Sequence, residues 1–424
     1  VLNLFLKLLL RDLLLHYGAQ PSNEIKNVVI YGAGSAGAQL SATLRLSNKH
    51  SIKFFVDDDN SLWGRNISDI KIYPPEKISQ ISDQFDQILL AIPSLKKEKR
   101  RKIISYLKKF KKPILQVPSV EEITSGKTKI DILRSIEIED LLDRKSVPAK
   151  DNLLGPGINN NVICITGAGG SIGSELARQV IKLKPKKIIL FEKSEPSLYL
   201  IHRELLDSIN QKVEIIPVLG DCVDFLLVKE VFFKYDVKIA FHAAAYKHVP
   251  LVELNPLQGI KNNILSARNV CKAANQTKIT NLILISTDKA VRPTSIMGVS
   301  KRISELIFQS FASSESNGTI YSMVRFGNVL ASSGSVVPLF KKQIETGGPI
   351  TLTHPDITRY FMTIPEAVEL VIQTSVLAEG GEVFILDMGK PVKIINLAKQ
   401  MIMLSGLSVK DEENPNGDIE IEIV

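Results

Sequence analysis

Residues 161–173, Asn161-Val162-Ile163-Cys164-Ile165-Thr166-Gly167-Ala168-Gly169-Gly170-Ser171-Ile172-Gly173, decide the fold. The run Asn161 to Ile165 predicts a strand buried on both faces, and the glycine turn that follows it opens a helix from Ser174. Gly167, Gly170 and Gly173 stand at G-x-x-G-x-x-G spacing, with Ser171 and Ile172 between the last two. In a strand, turn and helix unit such glycines let the backbone approach a pyrophosphate, which then rests on the helix N-terminus. The next strand, Lys187-Ile188-Ile189-Leu190-Phe191, ends in Glu192. A carboxylate there accepts hydrogen bonds from a ribose diol and repels a 2′-phosphate, which favours NAD over NADP, although Lys193 weakens that repulsion. Strands over 213–218 and 237–241 bring further groups to the same edge. Asp221 would meet an adenine amino group, and Ala243, Ala244 and Ala245 leave room for a dinucleotide to lie flat. His242 alone reads as a buried structural imidazole, and Tyr246, Lys247 and His248 as substrate contacts or loop packing.

An earlier stretch repeats the pattern. Val28-Val29-Ile30 ends at Tyr31, and Gly32-Ala33-Gly34-Ser35-Ala36-Gly37 precedes a helix through Ala38-Gln39-Leu40. A second strand, Ile52-Lys53-Phe54-Phe55-Val56, ends in Asp57, about twenty residues after the glycines, where a ribose-binding acid sits. Gly32, Gly34, Gly37 and Asp57 are therefore a second candidate nucleotide site, the alternative being a vestigial unit used for packing or sensing. A strand from Gln87 and a basic helix over Lys96–Phe110 complete this unit. The expected organisation is an apolar helix over 1–20, a Rossmann-like domain over 21–122, a linker over 123–157 and a second domain over 158–424. The fold class is α/β, two doubly wound Rossmann-like domains in tandem.

The candidate chemistry lies in Ser286-Thr287-Asp288-Lys289-Ala290-Val291-Arg292-Pro293-Thr294-Ser295-Ile296-Met297-Gly298-Val299-Ser300-Lys301-Arg302. The preceding run, Asn281 to Ile285, predicts a buried parallel strand, so Asp288 and Lys289 emerge at its C-terminal edge, where open α/β sheets bind ligands. An acid beside an amine suits general acid and base work, and an ordinary loop ion pair is the plainer alternative. Arg325, Asn328 and Arg359 are candidates for phosphate oxygens, because guanidinium and amide groups donate to them from fixed positions; each also fits a structural hydrogen-bonding role.

With 424 residues, 44% apolar and 23% charged, the chain is ordinary globular material long enough for two or three cores. Its net charge of +8 concentrates in Lys96–Lys102 and Lys108–Lys112, runs that form solvated helix faces or favour an anionic membrane surface. Nucleic acid is disfavoured, since no recognition motif accompanies the charge. Cys164, Cys222 and Cys271 lack pairing or metal spacing, which points to a reducing compartment and no zinc site. Residues 1–17 are apolar but interrupted by Lys7, Arg11, Asp12 and His16, too broken to span a bilayer. They predict a helix that wants a partner or a lipid interface.

Six stretches in order, TGAGGSIGSEL from Thr166, HAAAYKHVPLVE from His242, STDKAVRPTSIMGVSKR from Ser286, RFGNVLASSGSVVPLF from Arg325, GGPITLTHPDITRYFMTIPEA from Gly347 and LDMGKPVKI from Leu386, carry a family resemblance. The chain resembles the membrane-associated nucleotide-sugar 4,6-dehydratases of bacterial polysaccharide biosynthesis, typified by UDP-N-acetylglucosamine 4,6-dehydratase, within the extended short-chain dehydrogenase/reductase superfamily. The resemblance covers roughly residues 20 to 410. It implies that NAD takes a hydride from C4 of a UDP-sugar, that Asp288 is the acid at C6, Lys289 the base at C5, and that Thr287 holds the C4 oxygen. Lys301 would bind the nicotinamide ribose, and Lys247, Arg325, Asn328 and Arg359 the substrate. Met297 stands four positions before Lys301, where the superfamily's Tyr-x-x-x-Lys pattern has tyrosine; the large members of the family resemble this chain there. The resemblance also implies transmembrane helices before residue 1, a place on the cytoplasmic face of the inner membrane, a homo-oligomer, and a glycine- and arginine-containing segment beyond Val424. A 4-epimerase and a catalytically silent nucleotide-sugar-binding protein are the competing readings.

Overall fold

The computed structural model describes residues 25–47, 50–93, 95, 97–117, 147–208, 213–277, 279–314, 318–330, 332 and 334–424. The expected N-terminal helix over 1–20 and the linker up to residue 146 lie outside these residues. Among the described residues no helix is long and apolar enough to cross a membrane. The chain divides into two compact units. Residues 347–349 and 399–421 group with the first unit, whereas a single cut at 157 would have left them with the second.

In the first unit, β1 (Lys26–Tyr31), β2 (His50–Val56), β3 (Asn66–Ile67), β4 (Ile70–Tyr73), β5 (Gln87–Leu90) and β6 (Ile114–Gln116) form one sheet in the order β3-β4-β2-β1-β5-β6. Only β3 and β4 pair antiparallel. The glycine turn feeds α1 (Ser35–Ser47), and Val28, Ile30, Phe55 and Leu89 form the core between them. The basic helix is shorter than predicted: α2 spans Lys97–Leu107, and a 3₁₀ turn follows over Lys108–Phe110. Lys111 then takes φ +53°, a left-handed conformation that stops the helix before Pro113.

The main sheet of the second unit has seven strands, all parallel: β7 (Val162–Thr166), β8 (Lys187–Glu192), β9 (Glu214–Leu219), β10 (Ile239–His242), β11 (Asn281–Ile285), β12 (Ile320–Arg325) and the strand Val383–Ile385. From one edge, Val383–Ile385 is followed by β12-β11-β10-β7-β8-β9. β8 and β9 thus lie on one side of β7, and β10 onward on the other. The order reverses between β7 and β10, and the crevice at their carboxyl ends is where such sheets bind ligands.

Every residue of β7 and β11 is buried, because helices cover both faces. Successive side chains point to opposite layers, so Ile163, Ile165, Ile283 and Ile285 enter one core while Val162, Cys164, Leu282 and Leu284 enter the other. Each such side chain contributes about 1.5–3 kcal/mol by leaving water. The helix after the glycine turn, α3 (Ser171–Lys182), begins three residues before the predicted Ser174. Gly170 is its N-cap, so Ser171, Ile172 and Gly173 form its first turn and present backbone N–H groups at the sheet edge.

Candidate active site

Two adjoining cavities, of about 720 Å³ and 490 Å³, open along the carboxyl edge of the second sheet and share Gly167, Gly170, Ser171, Ala243, Ala245 and Tyr246 as walls. The glycines are there for proximity. A Cβ on Gly173 would lie 2.0 Å from the Gly167 carbonyl oxygen, and one on Gly167 would lie 2.8 Å from the Ala244 backbone, at φ +68°. The turn therefore closes onto β10's exit with no side chain between, leaving first-turn N–H groups facing the cleft beside Ser171 and Ile172.

Glu192, Asp221 and Ala244 line the smaller cavity, as the sequence predicts for the adenosine half of a dinucleotide. The Glu192 carboxylate also organises its own surroundings. Its Oε1 accepts from the backbone N–H groups of Lys193 and Ser194, both at 3.0 Å, and Oε2 accepts from Gly169 at 3.0 Å. With about four lone-pair positions on a carboxylate, one on Oε2 remains for a ligand hydroxyl. Asp221 Oδ1 accepts from Val223 N–H at 3.0 Å. The glycine cradle, the fixed acid and the flat alanine floor together fit a dinucleotide.

Thr287, Lys289, Met297, Lys301, Asn328 and Lys247 converge on the larger cavity. Thr287 stands two residues beyond β11 and caps a 3₁₀ segment that carries Asp288 and Lys289, both half-buried; Lys289 lines the cavity and Asp288 does not. Lys289 Nζ donates to Asp288 Oδ1 at 3.0 Å and to Asn328 Oδ1 at 3.3 Å, while Thr287 Oγ1 donates to the same Asp288 oxygen at 2.9 Å. The backbone N–H of Asp288 donates to the Phe326 carbonyl at 3.0 Å, which ties this turn to the loop carrying Asn328.

Helix α4 (Ile296–Ser313) supplies Met297 and Lys301. Ser295 caps it by accepting from Gly298 N–H, and Gly298 is needed because a Cβ there would stand 2.5 Å from the Lys289 carbonyl oxygen. Met297 is 3% exposed and lines the cavity where the superfamily pattern has its phenol. Lys301 is buried, donates to the Ile285 carbonyl at 2.6 Å, and is pushed down to about 8 by burial, against the opposing pull of Glu305. Burial likewise lowers Lys247. His242 is structural: Thr166 Oγ1 lies 2.7 Å from its Nδ1, and burial, together with the Lys301 charge, pushes it down to about 3, leaving it neutral.

Two predicted phosphate contacts stand elsewhere. Arg325 does not line either cavity; its Nε donates to buried Glu305 at 2.7 Å and its Nη2 to the other carboxylate oxygen, a fork that satisfies a buried charge. Arg359 is exposed, outside both cavity walls, and donates to the Thr358 carbonyl at 2.8 Å. Sequence reasoning missed Glu305. It is fully buried and gathers donors from Ser286 at 2.6 Å, Arg302 at 3.0 Å and Arg325. Burial alone would raise its pKa, but those donors hold it below the ordinary value. It thereby clamps the ends of β11 and β12, from which the Asp288 and Asn328 loops depart. The available signal was its place four residues after Lys301, on the same helix face.

In the first unit, Gly32 (φ +107°) and Gly37 build a similar turn, and Asp57 reaches it. Asp57 Oδ2 accepts from Ala33 N–H at 2.6 Å and Oδ1 from Asp59 N–H at 2.9 Å, while Gly34 is open to solvent.

Residues 163–424 match the family described as "Polysaccharide biosynthesis protein", and residues 24–114 match "C2185-like, N-terminal". The chain belongs to the polysaccharide biosynthesis protein family. It is 43% identical over 394 residues to the capsular polysaccharide biosynthesis protein CapD of Staphylococcus aureus, covering 92% of this chain and 66% of that protein's length. Among solved structures it resembles Pen from Bacillus thuringiensis, with 32% identity, TM-score 0.56, and coverage of 63% of this chain and 80% of that one. The DesIV double mutant from Streptomyces venezuelae, a dTDP-glucose 4,6-dehydratase with NAD and DAU bound, shares the fold at 16% identity and TM-score 0.52, covering 62% of this chain and 84% of its own.

Proposed function

We propose that the second unit catalyses NAD-dependent 4,6-dehydration of a UDP-N-acetylhexosamine, with UDP-N-acetylglucosamine as the first candidate, giving a 4-keto-6-deoxy sugar nucleotide for polysaccharide synthesis. The observation that carries this reading is the Asp288–Lys289 pair, 3.0 Å apart, whose Lys289 lines a cavity that shares walls with the dinucleotide cradle. Bound NAD would supply the hydride acceptor at C4 and the hydride donor at C6, so the reaction has no net redox change; the C4 hydroxyl proton passes to solvent and offsets the proton that Asp288 gives to the departing water. The ketone at C4 acidifies C5. Lys289 takes the C5 proton as Asp288 protonates the departing C6 hydroxyl, so the C5–H and C6–O bonds break, a C5–C6 double bond forms and water leaves; Lys289 then returns a proton to C5.

These roles need the shared proton on Asp288. The direct contact between the two side chains provides the path by which it crosses from Lys289. Thr287 would donate to the C4 oxygen. Met297 exchanges no proton, which counts against a 4-epimerase dependent on tyrosine. The name of CapD supports a place in polysaccharide biosynthesis, and the apolar, basic residues 1–17 support a place at the cytoplasmic face of the inner membrane.

The test is incubation with UDP-N-acetylglucosamine, followed by mass spectrometry and NMR. Loss of one water with a new C6 methyl signal is expected; a product of unchanged mass would replace dehydration with epimerisation.

A further inference from the structure

Lys193 follows Glu192 directly, and its ammonium is already engaged. Nζ donates to Tyr246 Oη at 2.7 Å and to Asn262 Oδ1 at 2.6 Å, and stands 4.1 Å from the centre of the Tyr246 ring. All three residues line the smaller cavity beside Glu192. The Tyr246 backbone and the Asn262 amide are held independently of the lysine. Buried Asn263 accepts from Tyr246 N–H at 2.8 Å and donates to the Tyr246 carbonyl at 3.0 Å, and its side chain is anchored on Ser300 Oγ at 2.9 Å. Asn263 also accepts from Asn262 Nδ2 at 3.0 Å, which turns the Asn262 oxygen toward Lys193.

A cation next to the ribose-reading acid is the feature that lets a Rossmann site accept a 2′-phosphate. Here that cation is drawn across to the β10 side. Two of its three donor positions and one aromatic face hold it there.

We propose that Tyr246 and Asn262 sequester the Lys193 ammonium from the 2′ position of the adenosine ribose. Glu192 then reads that position unopposed, and the site selects NAD over NADP. The inference rests on the reading of this cleft as a dinucleotide site and names the residues that set its choice.

The experiment is isothermal titration of NAD and NADP into the full chain, as wild type, as Tyr246→Leu/Asn262→Ala, and as the same double variant with Lys193→Ala. Freeing Lys193 should shift the NADP-to-NAD affinity ratio toward NADP by roughly fivefold, the range of one part-exposed ion pair. That shift should vanish when Lys193 is also removed. A ratio equal to wild type in the double variant, or a shift that persists without Lys193, overturns the proposal. Asn262→Ala alone, the smaller of the two truncations, gives the same readout at smaller amplitude if the double variant unfolds. Wild type that binds neither dinucleotide overturns the cofactor reading itself, and wild type that prefers NADP removes the role of Glu192.

Discussion

The two glycine turns of this chain are built alike and floored differently. In each, the first glycine's N–H donates to the neighbouring strand, Gly32 to Val56 and Gly167 to Phe191, both at 2.8 Å. In each, a Cβ on the third glycine would lie 2.0 Å from the first glycine's carbonyl oxygen, and the acid ending the second strand accepts from the turn. The floors come from equivalent positions: Ala91, Ile92 and Pro93 after β5, and Ala243, Ala244 and Ala245 after β10. Ile92 crowds the first turn, its Cγ2 standing 2.8 Å from where a Cβ on Gly32 would be, whereas the second turn meets only backbone at Ala244. Glycine spacing reports how closely backbone approaches backbone. Whether a ligand fits depends on what the opposite strand contributes.

The largest effect expected from this contrast is at the carboxylates. Asp288→Asn should cut product formation by ~10²–10⁴-fold, the usual worth of a general acid, with dinucleotide affinity nearly unchanged. Asp57→Asn, in the first unit, should leave turnover at the wild-type level. Equal losses in steady-state assays would mean that both units serve the chemistry.

Lys301 offers a test by pH. Held at about 8 instead of the ordinary 10.5, it binds fewer protons in the folded than in the unfolded chain between those values. Stability therefore rises with pH across that window, and below it the buried ammonium costs on the order of 3 kcal/mol. Thermal melts of Lys301→Met between pH 7.5 and 10 should lack the rise that wild type shows. An identical pH dependence in the two proteins would remove Lys301 as its source.

The glycines themselves give a smaller, paired effect. Gly173→Ala should weaken NAD binding roughly tenfold to a hundredfold, by an overpacking cost of about 1–3 kcal/mol. Gly37→Ala carries the same clash but should lower only thermal stability, leaving NAD affinity and a stoichiometry of about one per chain intact. Titration showing two dinucleotides in wild type would break the comparison.

Much of this was legible in the sequence, because parallel strands buried on both faces are unbroken apolar runs; β11 has the predicted bounds, β8 runs one residue further than predicted, and β7 is displaced by one residue at each end. The start of α3 was not legible, since Gly170 to Gly173 reads as loop and becomes helix only because Gly173 packs against Gly167. Lys289, Met297 and Lys301 line one cavity, as their place at a strand end and their mutual spacing predict, whereas Asp288 stands outside its walls. Arg325 was misassigned for a physical reason: its partner Glu305 lies 20 residues earlier, on another element, and no local pattern announces a buried charge awaiting its counter-ion. The roles of Asn263 and Ile92 depend likewise on contacts that only the folded chain creates.

Met297→Leu bears on the central claim with the smallest perturbation, because the swap nearly conserves volume and should cost less than ~1.5 kcal/mol. The decisive measurement is deuterium incorporation at C5 from heavy water, followed together with loss of the C6 hydroxyl from UDP-N-acetylglucosamine. Wild type and Met297→Leu should both incorporate deuterium and lose water, since neither side chain moves a proton and Asp288 with Lys289 does the elimination. Activity that appears only in Met297→Tyr would contradict the account, because the phenol would then be indispensable and the native site silent.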